Sequence, residues 1–242
     1  MRERASHRLP SHHPEQIGMT PRGTTPTTLT APGRRRLLGA ALGAGALAAA
    51  GPFAARAQPA GAPITRRIPS SGEALPVVGL GSWITFNVGN DARARDACAE
   101  VVRAFFEAGG RLIDSSPMYG SSQPTIGHAL AKLQQPATLF SAEKVWVGDA
   151  ARGAAQMEAS RGFWGVPRFD LMQVHNLLAW EAHLPRLFEM KARGRLRYVG
   201  ISTSEGRRHA ELERIMRTQP IDFVQLSYNL LDREAEQRLL PL

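Results

Sequence analysis

Asp114, Tyr119, Lys144 and His175 carry side chains whose chemistry would combine if folding brought them together. A phenol gives up its proton only near pH 10, so Tyr119 alone is a poor acid at neutrality. An ammonium within hydrogen-bond reach lowers that value, and a carboxylate behind the ammonium holds it charged and in place. A histidine beside them can hydrogen-bond a substrate oxygen and orient it. The quartet suits delivery of a proton to a carbonyl oxygen while a hydride arrives at the carbon. Each residue also has a plainer reading: a strand-end aspartate, a loop tyrosine, a strand lysine and a satisfied core histidine. Lys144 is the least plain of them. Of 30 Lys and Arg residues only three are Lys, yet one of these sits inside an apolar run. Lys offers a tunable pKa and a compact charge that Arg does not.

A repeating strand–helix unit would position these groups. Short apolar runs stand at 77–81, 111–116, 139–147, 169–175, 197–202 and 223–229, separated by segments of helical spacing. In the first such segment Cys98, Val101, Val102, Phe105 and Phe106 share one stripe, which makes Cys98 a core residue. The helix starting around Trp180 ends at Gly194, a suitable left-handed cap. Asp114, Lys144, His175, Ser202 and Gln225 close successive runs at intervals of 30, 31, 27 and 23 residues. That is the length of a strand–helix unit, and repeated right-handed crossovers make a parallel sheet. The expected fold is α/β of the (β/α)8 TIM-barrel type, in which the C-terminal strand ends converge on one face. A doubly wound sheet would carry GxGxxG after its first strand, and GLGSWITF (79–86) does not fit. Ahead of the first strand, ITRRIPSSGEALP reads as a hairpin turning at Ser70-Ser71-Gly72-Glu73. About six of eight units are visible, and closing the barrel would take roughly 60 more residues. Such an open sheet leaves bare edges and predicts a poor fold and aggregation.

The net charge is +9, but residues 1–57 hold eight Arg and two Glu, so only +3 falls on the remainder. The globular part is therefore not a basic nucleic-acid binder. A single Cys excludes a disulfide framework and CxxC chemistry. No HxH stands on the first strand, which argues against a metal-dependent barrel hydrolase, and no metal site is expected. Residues 1–33 read as a disordered basic N-region. Residues 34–57 read as a twin-arginine-type signal peptide: Arg34-Arg35-Arg36-Leu37-Leu38, a weak Ala/Gly core, and cleavage near Ala57. The apolar core is too weak for a stable membrane span. This reading predicts a periplasmic or exported protein handled by the twin-arginine export machinery. Residues 58–75 are a linker and the hairpin, and 76–242 the incomplete barrel.

From about Arg67 to Leu242 the chain resembles the aldo/keto reductases. The resemblance rests on Gly79-Leu80-Gly81 with Trp83, on Ile113-Asp114-Ser115-Ser116-Pro117-Met118-Tyr119-Gly120, and on Glu143-Lys144-Val145. It continues through Asp170-Leu171 to His175-Asn176, Arg197 to Ser202, and Gln225 to Tyr228-Asn229. It implies a (β/α)8 barrel reducing small-molecule aldehydes or ketones with NADPH, with NADH left open. By the same resemblance Tyr119 is the general acid, Lys144 lowers its pKa, Asp114 pairs with Lys144, and His175 orients the carbonyl. Ser202 and Gln225 match positions that hold the nicotinamide carboxamide, and Trp83 and Trp146 are candidate pocket walls. Thr203 stands where Asn is common and Gln123 where Glu is common. Strands seven and eight, with segments that grip the cofactor, are not in this sequence. The alternative function is therefore a truncated, impaired or inactive barrel fragment, or one completed by another chain.

Overall fold

Residues 61–242 are described by a computed structural model, and the readings for 1–33 and 34–57 lie outside them. Strands β1 (Thr65–Arg67) and β2 (Ala74–Pro76) form the expected antiparallel hairpin. Gly72, at φ +73°, makes the left-handed residue of its turn. Six parallel strands follow in sequential order: β3 (Leu80–Gly81), β4 (Leu112–Asp114), β5 (Phe140–Val145), β6 (Phe169–Val174), β7 (Leu196–Ser202) and β8 (Phe223–Gln225). The connecting helices are α1 (Ala92–Glu107), α2 (Ser122–Lys132), α3 (Ala150–Trp164), α4 (Trp180–Ala192) and α5 (His209–Thr218), and α6 (Ala235–Arg238) follows β8. Gly194, at φ +70°, terminates α4 as expected. Among the described residues β3 and β8 each pair on one side only. Both are shorter than the apolar runs at 77–81 and 223–229. The interior strands β6 and β7, hydrogen-bonded on both sides, extend over six and seven residues.

The two-residue period of the strands separates two apolar layers. On the outer face Ile113, Val145, Met172, Val174, Val199 and Ile201 pack beneath the helices. In α1 the buried residues are Cys98, Ala99 and Val102. Val101, expected on that stripe, lies at its edge and is exposed. The inner face is apolar at the N-terminal ends of the strands. There Leu112, Phe140, Leu171, Tyr198 and Phe223 cluster around Ile68 and Leu75 from the hairpin. The hairpin is pinned by Glu73, which accepts from Tyr198 Oη at 2.8 Å and Arg111 Nη2 at 3.1 Å and pairs with Arg197. One or two pleat repeats further along, the same inner face becomes polar: Asp114, Lys144, Gln173, Ser202 and Gln225. Apolar filling at one end and ionisable groups at the other follow from where each run switches composition. Among the described residues, no helix is long and apolar enough to cross a membrane.

Candidate active site

Lys144 is almost fully buried, and its Nζ donates to Asp114 Oδ2 at 2.5 Å and to the Ser115 carbonyl at 2.8 Å. Register explains the pairing. Asp114 aligns with Ala142 across β4–β5, so Lys144, two residues on, reaches back over one pleat to the same side of the sheet. Asp114 also accepts from Gln173 Nε2 and Gln225 Nε2, each at 3.2 Å. Gln173 crosses to it because Gly200 stands opposite. A Cβ at Gly200 would lie 2.8 Å from the Phe223 carbonyl and 3.1 Å from Gln173 Cγ.

Tyr119, in the β4–α2 loop, and His175, directly after β6, meet edge to face with ring centroids 5.7 Å apart. Lys144 Nζ lies 5.4 Å from the Tyr119 ring centroid. Trp83 flanks Tyr119 at 6.5 Å and Trp146 flanks His175 at 6.4 Å, so both tryptophans border the site. Tyr119, Lys144, His175, Ser202, Thr203 and Gln225 share the lining of a cavity of about 190 Å³. Every residue singled out from the sequence is therefore on or beside one cavity. Their partners differ in part from expectation. Gln225 gives its amide N–H to Asp114, and Ser202 Oγ accepts the Asn176 backbone N–H at 3.2 Å.

Against the expectation that Lys144 lowers the Tyr119 pKa, Lys144 is not among the groups that set it. Burial, with the Asp114 and Glu143 carboxylates, pushes the phenol up to about 12. The Lys144 ammonium is engaged by Asp114, so its field at Tyr119 is largely offset. Tyr119 is thus a fully protonated phenol across the physiological range. His175 moves the other way: burial, and then the Lys144 charge, lower its pKa to about 4. An unfolded-chain histidine titrates near 6.5, so the folded state resists protonation. The stability tied to His175 is present above pH 6.5 and declines as pH falls towards 4. His175 ring resonances should accordingly show no protonation between pH 8 and 5 in an NMR titration; a midpoint near 6.5 would contradict this.

Behind Lys144, on the outer face of β5, Glu143 is fully buried. Burial pushes its carboxyl up to about 7, against three N–H donors that favour the charged form. Those donors are Gln123 Nε2 at 2.8 Å, Trp164 Nε1 at 2.9 Å and the Lys144 backbone N–H at 2.8 Å. Gln123 also lies 2.7 Å from Ser160 Oγ. A Glu at 123 would set a second carboxylate against Glu143, so the departure at this position answers its neighbour. Sequence reasoning missed Gln173 and Ser116 as members of the site. The visible signal for Gln173 was a polar side chain within an apolar run, two residues before His175.

The aldo/keto reductase family model matches residues 77–242. Methylglyoxal reductase YeaE of Escherichia coli is 29% identical over 171 residues, covering 69% of this chain and 59% of that protein. A thermostable aldo-keto reductase, Tm1743, solved with the inhibitor epalrestat, is 25% identical with a TM-score of 0.61, over 72% of this chain and 66% of that one. An aldo-keto reductase from Klebsiella pneumoniae, solved with NADPH, shares the fold at a TM-score of 0.59 and 23% identity, over 74% and 63% of the two chains. The chain spans 59% of the length of the Escherichia coli relative. Its six sequential parallel strand–helix units match the (β/α)8 architecture of these proteins, and the chain belongs to the aldo/keto reductase family.

Proposed function

We propose that this protein reduces the carbonyl group of a small aldehyde or ketone to an alcohol, using NADPH or NADH. The observation that carries the reading is the buried Lys144–Asp114 pair at 2.5 Å, set beside Tyr119 and His175 on one cavity. The donor set fits a nicotinamide. Thr203 Oγ1 is buried without a partner among the described residues and lines this cavity beside Ser202 and Gln225. A carboxamide offers both a donor and an acceptor, which a hydroxyl and an amide carbonyl can satisfy. Ser202, Thr203 and Gln225 are the residues that would hold it. When bound, the nicotinamide supplies the hydride that adds to the carbonyl carbon.

The chain's own residues do the rest. His175, kept neutral, donates a hydrogen bond to the carbonyl oxygen and fixes its position. Tyr119 Oη–H gives its proton to that oxygen as negative charge develops on it. At about 12 the phenol is still a stronger acid than the alcohol it protonates, so the transfer runs downhill. Lys144 then faces the phenolate with its ammonium, held by Asp114, until solvent restores the proton. Trp83 and Trp146 present aromatic walls to the substrate. The competing reading, an inactive barrel, is disfavoured by a quartet with every member present and interacting.

Similarity to a methylglyoxal reductase makes 2-oxoaldehydes the first substrates to assay. The full chain mixed with methylglyoxal and NADPH should consume the reduced cofactor at a rate that depends on the carbonyl compound. No carbonyl-dependent consumption of either NADPH or NADH, across 2-oxoaldehydes, simple aldehydes and ketones, would overturn the proposal.

A further inference from the structure

Ser116 is completely buried in the β4–α2 loop, two residues beyond Asp114. Its Oγ lies 2.6 Å from Nδ1 of His175 and accepts the Met118 backbone N–H at 3.2 Å. A hydroxyl has one proton to donate. With the Met118 N–H occupying a lone pair, the acceptor in reach of that proton among the described residues is Nδ1. The opposite arrangement, Nδ1–H donating to Ser116, would leave the hydroxyl proton with no acceptor among them, which a buried site disfavours. A neutral imidazole carries a single N–H, so a proton accepted at Nδ1 from Ser116 leaves the ring's own proton on Nε2. Nε2 has no partner among the described residues, and the ring borders the cavity shared with Tyr119.

We propose that Ser116 is a positioning residue that fixes His175 as the Nε2–H tautomer, so that the imidazole presents a donor and not an acceptor to the carbonyl oxygen. The proposal rests on the reading of His175 as the group that orients the carbonyl. Ser116 acts through His175 and does not itself touch the substrate. The same contact holds the ring plane, so Ser116 supplies both the tautomer and the orientation.

The test is the ¹⁵N spectrum of histidine-labelled full chain near pH 7, with the His175 signals assigned by comparison with His175→Asn. The expected spectrum has Nε2 protonated and Nδ1 bare. Ser116→Thr keeps the hydroxyl and should keep that pattern. Ser116→Val, which has the shape of the Thr variant but no hydroxyl, should show a tautomer mixture. In the kinetic arm Ser116→Val should lose about tenfold or more in kcat/KM for the carbonyl substrate with unchanged cofactor affinity, and Ser116→Thr should recover most of it. A wild-type His175 protonated on Nδ1, or a Val variant with the wild-type pattern, overturns the assignment. The two readings fail separately: the expected spectra without any carbonyl reduction by the wild type would sink the proposed function and leave the tautomer assignment standing.

Discussion

Tyr119→Phe should reduce carbonyl turnover by about a hundred- to ten-thousandfold, the usual worth of a positioned general acid, while leaving cofactor affinity and thermal stability unchanged. The separation of effects follows from geometry. Tyr119 Oη makes no hydrogen bond among the described residues, whereas its ring packs edge to face on His175 and against Trp83. Phe keeps both ring contacts and removes only the transferable proton. Steady-state kinetics, a fluorescence titration with NADPH and a thermal melt measure the three quantities on one preparation. Near-wild-type turnover would end the assignment of Tyr119 as the acid. A large fall in melting temperature would mean that the hydroxyl is structural.

Lys144→Met should be more damaging, because it removes a charge from chemistry and from the core together. The Lys144 side chain is 1% exposed and that of its Asp114 partner 12%. Breaking a buried pair from one side strands the other charge at a cost of about 3–5 kcal/mol. Asp114 would retain only the Gln173 and Gln225 amides, neither of which carries a charge. Turnover should collapse as well, since the phenolate left on Tyr119 would face the Asp114 and Glu143 carboxylates with no ammonium to offset them. The double variant Lys144→Met with Asp114→Asn separates the two effects. Denaturant unfolding should show most of the stability recovered, while kinetics should show activity still lost. Full activity of the double variant would mean that the pair serves the fold alone.

The hairpin stands at the N-terminal end of a sheet whose edge strands, among the described residues, are β3 and β8. Ile68 and Leu75 of the hairpin cover the apolar inner layer from below, and Glu73 ties them to Arg111, Arg197 and Tyr198. Ion pairs that are partly shielded and shared with a tyrosine hold geometry better than isolated surface pairs. The hairpin thus seats the N-terminal end of the sheet while Asp114, Lys144, Ser202 and Gln225 occupy the other.

The strand–helix rhythm, the hairpin, the end of α4 at Gly194 and the placement of Asp114, Lys144, His175, Ser202 and Gln225 at strand ends were all legible in the residues. They depend on local matters: apolar periodicity, turn chemistry and the point in each run where a polar side chain appears. The pairing of Asp114 with Lys144 was implied by the family resemblance, although Asp114 is level with Ala142 and Lys144 reaches back over one pleat to meet it. Three things belonged to the tertiary structure alone. Ser116 meets His175 across 59 positions of sequence, and nothing in the IDSSPMYG run distinguishes its hydroxyl from that of Ser115 beside it. Gln123 finds Glu143 only because α2 packs over the outer face of β5. The directions of the Tyr119 and His175 shifts turn on how deeply each ring is buried and on which carboxylates engage Lys144. Burial and the balance of charges around a point are sums over everything nearby, and they take a value only once the whole chain has packed.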